Sequence, residues 1–327
     1  MNYKEIIHAV ALLASFIAPG DSWGRALPAD DLFAVTFVGE REGWACGRWG
    51  TILHTRDGGA TWERQRTGVE ATLSSVHFVD GRNGWAVGDQ GTILHTADGG
   101  KRWERQLSPV SFFLMAVRFV TKDKGWIVTE RTHILHTEDG GKTWAIQFHD
   151  QDFILKSLSF SDKQNGWAVG EYGFVYHTAD GGKRWVRQAG EFGLSDATGE
   201  LVGGSFLFDV AAVDARTAWV VGIDGYVART VDGGKTWQKA TKGLPKTHLF
   251  GLSAGEKGVV IVGDAALLLT RDGGETWRSA AVEPTIRYGW LYRVARRGTR
   301  GFVAVGQAGR IYQADPGADR WTLTAAR

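Results

Sequence analysis

The stretch that decides the fold is Asn83-Gly84-Trp85-Ala86-Val87-Gly88, followed by Gly91-Thr92-Ile93-Leu94-His95-Thr96-Ala97-Asp98-Gly99-Gly100 and then Trp103. It recurs along the chain. Its closing tryptophan returns as Trp62, Trp103, Trp144, Trp185, Trp237, Trp277 and Trp321, at steps of 41, 41, 41, 52, 40 and 44 residues. The Gly-Trp position gives a second series, Trp44, Trp85, Trp126, Trp167 and Trp219, with steps of 41, 41, 41 and 52. The two series stay in phase, so the long interval is an insertion within one array and not a missed unit. A fixed period of this size marks a repeat architecture.

Each unit reads as four short strands. In the second, Ser75-Val76-His77-Phe78-Val79 alternates and Asp80-Gly81-Arg82-Asn83 turns. Gly84–Gly88 is the next strand, Asp89-Gln90-Gly91 turns again, and Thr92–Thr96 is the third. Asp98-Gly99-Gly100 turns into Trp103-Glu104-Arg105-Gln106. Period-two runs bounded by Gly and Asp are strand and hairpin signals. No long helical period appears after residue 30. Four strands in a unit of this length describe a propeller blade. The chain is therefore all-β, a seven-bladed β-propeller of four-stranded antiparallel blades filling 27–327. Its units lie near 32–65, 73–106, 114–147, 155–188, 207–240, 249–280 and 290–324. The last unit holds four strands of its own, so ring closure does not demand a strand from the N-terminus.

Six units carry Thr-x-Asp-x-Gly-x-x-Trp between the third and fourth strands, with the aspartates at Asp57, Asp98, Asp139, Asp180, Asp232 and Asp272. The seventh is worn: Asp315, Gly317 and Trp321 remain, with one extra residue before the Trp. The carboxylate accepts backbone N–H bonds inside its own turn. The glycines supply positive φ. This is the Asp-box turn of the bacterial neuraminidase repeat, strong for fold and nearly silent on chemistry. The longer pattern, Gly-Trp-Ala-Val-Gly … Gly-Thr-Ile-Leu-His-Thr-x-Asp-Gly-Gly-x-x-Trp, resembles the photosystem II stability/assembly factor family over about residues 32–324, most clearly in the first four units. The resemblance implies an exported, non-catalytic propeller, periplasmic or lumenal, that helps assemble a membrane complex by binding a newly made subunit. In a phototroph that complex is photosystem II; elsewhere it is another envelope complex. The family's arginine-rich binding surface has no motif here that matches residue by residue.

Composition supports a packed exported domain. Hydrophobic residues make up 43% of the chain, with 15 Trp among them, which excludes a disordered chain. One cysteine, Cys46, excludes an internal disulfide framework and a CxxC metal site. A net charge of +2 does not point to nucleic acid. Residues 1–26 read as a signal peptide and N-terminal segment: Lys4 precedes an apolar run from Ile6 to Ala18, too short to span a bilayer, and small residues follow it. The alternative is a short helix packed on the domain.

Strand order assigns the loops to faces. The first-to-second-strand turns and the Asp-boxes share one face, here the Asp face. The second-to-third-strand turns and the blade connections share the other, the connection face. The connection face is richer in interface residue types. Its turns offer Trp49 and Tyr172, where other units have Gln90 or Gln307. Its connections offer Phe112, Phe113, His149, Phe153, Phe192, Arg287, Tyr288 and Trp290. It also receives the insertion, roughly Ala189–Ser205. Aromatics and Arg are the usual anchors of protein interfaces. Trp49, Tyr172, Arg287, Tyr288 and Trp290 are thus the expected partner-binding set, against the plainer reading that such rings plug the channel. A second candidate is Arg296, Arg297 and Arg300 on the Asp face. It lies in a segment, 285–327, with net charge +6 against −4 for the rest. The plainer reading there is a solvated basic rim.

Catalysis and cofactors are not expected. His54, His95, His136 and His177 recur at one blade position, but neighbouring blades stand about 10 Å apart, as packed sheets do. A zinc ion needs its ligands at about 2 Å. Those histidines are expected to pack between blades, and no metal or cofactor site is assigned. A sialidase shares the Asp-box but needs an arginine triad, a Tyr nucleophile and an Arg-Ile-Pro signature, and no Arg-Ile-Pro occurs here. The alternatives carried forward are a glycan- or wall-binding propeller and a sialidase-like glycoside hydrolase.

Overall fold

The computed structural model describes residues 30–194, 201–255 and 258–324. The expected signal segment lies outside the described residues. Seven antiparallel sheets follow one another along the chain, with sequential strand order in each: 32–65, 73–106, 114–149, 155–189, 207–239, 249–279 and 291–323. In every blade the first strand is innermost, and consecutive first strands touch around the ring, including blade seven against blade one. Blade seven is complete with its own four strands. The short strand Ala281–Glu283, from the preceding connection, adds in parallel to its outer edge against Arg320–Leu323. Among the described residues, the ring closes without strand exchange. The insertion forms a small hairpin, Phe192–Leu194 against Leu201–Gly203.

The repeat motif is a packing unit. Trp44, Trp85, Trp126 and Trp167, on second strands, are completely buried. Three of them stack on a phenylalanine from the next blade's first strand: Trp44 on Phe78 at 3.6 Å, Trp85 on Phe119 at 3.5 Å and Trp126 on Phe160 at 3.9 Å between ring centroids. The recurrent histidines cover the other side of the indoles, at 4.8 Å for His54, 4.9 Å for His95, 5.1 Å for His136 and 4.5 Å for His177. The glycine before each Trp has a steric reason. A Cβ on Gly84 would lie 2.4 Å from the Phe78 ring, and Phe78 is its direct cross-strand partner.

The aspartate turns brace the outer strands. Thr137 Oγ1 donates to Asp139 Oδ1 at 2.8 Å, accepts from Gly141 N at 2.9 Å, and Asp139 Oδ1 accepts Thr143 N at 2.9 Å. Gly141 holds φ at 85°, which a Cβ would strain. The same Thr–Asp–Gly bonds recur in the other five regular turns, at Asp57, Asp98, Asp180, Asp232 and Asp272. The seventh turn is held instead by Ala318 N donating to Asp315 O at 2.8 Å. Its tryptophan still closes locally, Trp321 Nε1 to Ala318 O at 2.9 Å.

Candidate interaction faces

The connection face displays its residues on strained, repeated turns. The middle residue of the second-to-third-strand turn is left-handed in six blades, at Trp49, Gln90, Tyr172, Asp224, Ala265 and Ala308; in blade three the left-handed residue is Thr132, one position later and buried. Ala308, not Gln307, therefore holds the position equivalent to Trp49 and Tyr172. Such a φ disfavours bulky residues. The turn imposes it whatever the side chain, so this position is free to vary and points its side chain outward. Trp49 sits there with φ 54° and 55% exposed.

Arg287 and Tyr288 form the tip of a second rigid display. Ile286 is buried and anchors the turn; Gly289 N returns to Ile286 O at 2.8 Å, and Gly289 O accepts Ala265 N of blade six at 2.9 Å. Tyr288 stands 90% exposed, with the Arg287 guanidinium 5.7 Å from its ring centroid. Trp290 is different. It is half-buried, stacked on Phe33 at 6.1 Å and edge-on to Tyr292 at 5.9 Å. It joins blade seven to blade one as much as it faces outward.

Tyr172 lies on blade four, three blades away from that group. It packs on Phe153 at 5.1 Å and lies against the base of the insertion at Gly203 and Gly204. The five residues share a face but divide into two places. Of the other connection-face aromatics, Phe112 packs under Arg131 and against His133, and the Phe192 side chain lies outside the described set.

Sequence reasoning missed what surrounds the channel mouth on this face. The second residue of several first strands is large: Phe33, Met115, Lys156, Phe208, Phe250 and Tyr292. Their rings form a contact chain, Phe33 edge-on to Tyr292 at 5.6 Å, Tyr292 stacked on Phe250 at 5.4 Å and Phe250 edge-on to Phe208 at 5.1 Å. Lys156 reaches across from blade four, its Nζ 5.6 Å from the Tyr292 ring centroid. The available signal was one aromatic at one strand position, repeated at the pitch of the blades.

The basic candidate on the Asp face is built into a seam. Arg297 donates to Gly58 O of blade one at 2.5 Å and to Gln313 Oε1 at 3.2 Å. Arg300 pairs with Glu40 of blade one at 2.9 Å, and Arg296 covers the Phe302 ring at 4.6 Å. All three already bond or pack within blades seven and one.

The fold and its exposed face define a seven-bladed propeller with a display surface and no assigned catalytic group. The sequence profile of the photosynthesis system II assembly factor YCF48 matches residues 23–110, 106–194 and 197–326. The chain belongs to this family. Among solved structures it is similar to one described as YCF48 bound to D1 peptide, with TM-score 0.71 and 22% identity, over 91% of this chain and 97% of that one. YCF48 from Cyanidioschyzon merolae gives TM-score 0.70 and 20% identity, over 89% and 97%. A GH74 enzyme from Niastella koreensis gives TM-score 0.69 and 12% identity, over 90% of this chain but 54% of that one. At these identities the structural likenesses show the fold. No curated protein matches the sequence.

Proposed function

We propose that this chain is a non-catalytic, exported scaffold that binds a segment of a membrane-protein subunit through its connection face, at blades seven and one. The observation that carries this is the pair of exposed rings on rigid turns, Trp49 and Tyr288, with Arg287 beside the second. An ordered aromatic costs little conformational entropy on binding and brings a large apolar area, so these residue types dominate interface energetics. Family membership supplies the class of partner: a relative is described as bound to a D1 peptide. In a phototroph the client is a photosystem II subunit, and elsewhere a subunit of another envelope complex. The export reading rests on the apolar run Ile6–Ala18.

The test uses Trp49→Ala combined with Tyr288→Ala, since both side chains are largely free of the core. Purified protein is used to capture partners from detergent-solubilised membranes of the source organism, with cross-linking and mass spectrometry. The expected result is one integral membrane subunit, cross-linked near residues 48–50 and 286–290. The double variant is expected to lose about 10-fold or more in affinity with an unchanged unfolding midpoint. Undiminished capture by the variant removes blades seven and one from the reading and turns attention to Tyr172 on blade four or to Arg296, Arg297 and Arg300 on the Asp face. Recovery of the propeller alone, followed by binding on a sugar array, favours the glycan-binding alternative.

A further inference from the structure

The centre of the propeller holds more cationic charge than its own carboxylates neutralise. The middle residues of the first strands enclose a cavity of about 280 Å³. Its one carboxylate among the described lining residues is Asp209, which is already committed. It accepts Ser157 Oγ at 2.6 Å and Leu252 N at 3.0 Å, and it forms a buried ion pair with Arg293. Arg118 faces the same cavity, within the field of Asp209 but with no ion pair among the described residues. Its Nη1 donates to its neighbour's carbonyl, Val117 O, at 2.8 Å.

Arg118 is half-buried, and a cation held partly out of water without a counter-ion is costly. Arg118 stays charged: burial first, then the nearby Arg293, lower its pKa only to about 10. His77 beside it offers no negative charge and is held neutral, pushed down to about 3 by burial and by Arg118. Two serines add donors. Ser75 Oγ accepts Val117 N at 3.3 Å and Ser159 Oγ accepts Ala212 N at 3.1 Å, which leaves both hydroxyl protons to donate. The aromatic ring covers the connection-face mouth, whereas Ala212, Ala254 and Ala295 line the cavity toward the Asp face, where small side chains leave it accessible.

We propose that this channel binds a small inorganic anion between the Arg118 guanidinium and the Ser75 and Ser159 hydroxyls, entering from the Asp face. The anion supplies the missing negative charge and ties blades two, three and four together at the axis. The site is separate from the display face, so it stands whatever binds Trp49 and Tyr288.

Thermal unfolding of the purified chain is followed in low-salt buffer during titration with sodium phosphate or sodium chloride, at ionic strength matched with a bulky organic salt. Saturable stabilisation of about 5 °C is expected at a hundredfold excess over the dissociation constant. The salt that gives it tells an oxyanion site from a halide site. Arg118→Gln is expected to abolish the response and, without anion, to unfold no earlier than the parent. Absence of a saturable response to either salt, or an equal response in Arg118→Gln, overturns the proposal. If the variant does not fold, bromide-soaked crystals of the parent decide: an anomalous peak at the Arg118 guanidinium supports the site, and a channel holding only water refutes it.

Discussion

The seam between blades one and two and the seam between blades seven and one do the same job with different chemistry. In the first, Trp44 lies between His54 and Phe78, its Nε1 donates to Gly99 O at 3.3 Å, and Gln65 Nε2 donates to the same carbonyl at 2.9 Å. In the second, the Trp position is Val303 and the His position is Gln313. The gap is bridged by Arg297 to Gly58 O, by Gln313 to Gly59 O, and by Arg300 to Glu40. The first three seams repeat an aromatic stack; the closing seam packs Val303, Val305 and Ile311 on blade one without that stack and adds polar side chains spanning more than 230 residues of sequence. Buried aromatic area is insensitive to salt, whereas an exposed ion pair is weak and screened. The closing seam is therefore the place where the ring is expected to open first.

The largest effect that tests this contrast is Trp85→Ala. It removes a fully buried ring stacked on Phe119 and is expected to cost about 3–5 kcal/mol by urea denaturation. A cost below about 1 kcal/mol would mean that the aromatic seams are not the stronger ones. Next comes Gly84→Ala, whose new Cβ meets the Phe78 ring. We expect about 1–3 kcal/mol, the range for overpacking a core. In a double-mutant cycle with Phe78→Ala the penalties should be less than additive, since the steric conflict disappears with the ring. At the closing seam, Arg297→Met is expected to cost about 1–2 kcal/mol through its lost hydrogen bonds. Arg300→Ala should lower the thermal midpoint slightly at low salt and not at all in 1 M salt. Hydrogen exchange should show the edges of blades seven and one exchanging before those of blades two and three.

A last, smaller effect concerns the aspartate turns that brace the blades. Asp139 and Asp232 are held down to about 2, first by the backbone N–H of Thr143 or Thr236 and then by hydroxyl donors. A folded pKa below the ordinary 3.8 means the contribution is fully present above that value. It is lost as pH falls toward 2. Acid unfolding should therefore steepen between about pH 4 and pH 2, and Asp139→Asn should flatten it. An unchanged acid limb in that variant would show that the turn is held without its charge.

The same contrast separates what was legible in the chain from what was not. The phase-locked tryptophans were enough for seven blades, because a buried indole at a fixed offset demands the same pocket each time. The faces were legible too, since antiparallel order alone sorts the turns. The candidate residues were legible only as types. Trp49 and Trp290 look alike as letters, yet one is displayed by a left-handed turn and the other packs on Phe33. Arg296, Arg297 and Arg300 read as a free basic patch because their acceptors, Gly58 and Glu40, are remote in sequence.

By itself, the sequence determined the repeat, the strand order and the turn chemistry, all of which rest on contacts within one blade or between neighbours 41 residues apart. Only the tertiary structure decided three other things. It matched each first-strand ending to its cross-strand partner: Phe opposite Gly in blades one to four, then Ala212 with Ala218, Ala254 with Val259, and Arg296 with Phe302. It added polar bridges, from Arg297, Arg300 and Gln313, to the apolar contacts of the closing seam. It also gathered Arg118, Asp209 and Arg293 around one axis. The reason is geometric: a ring brings the same strand position of every blade to its centre, so charges that are isolated along the chain become neighbours only when the circle is complete.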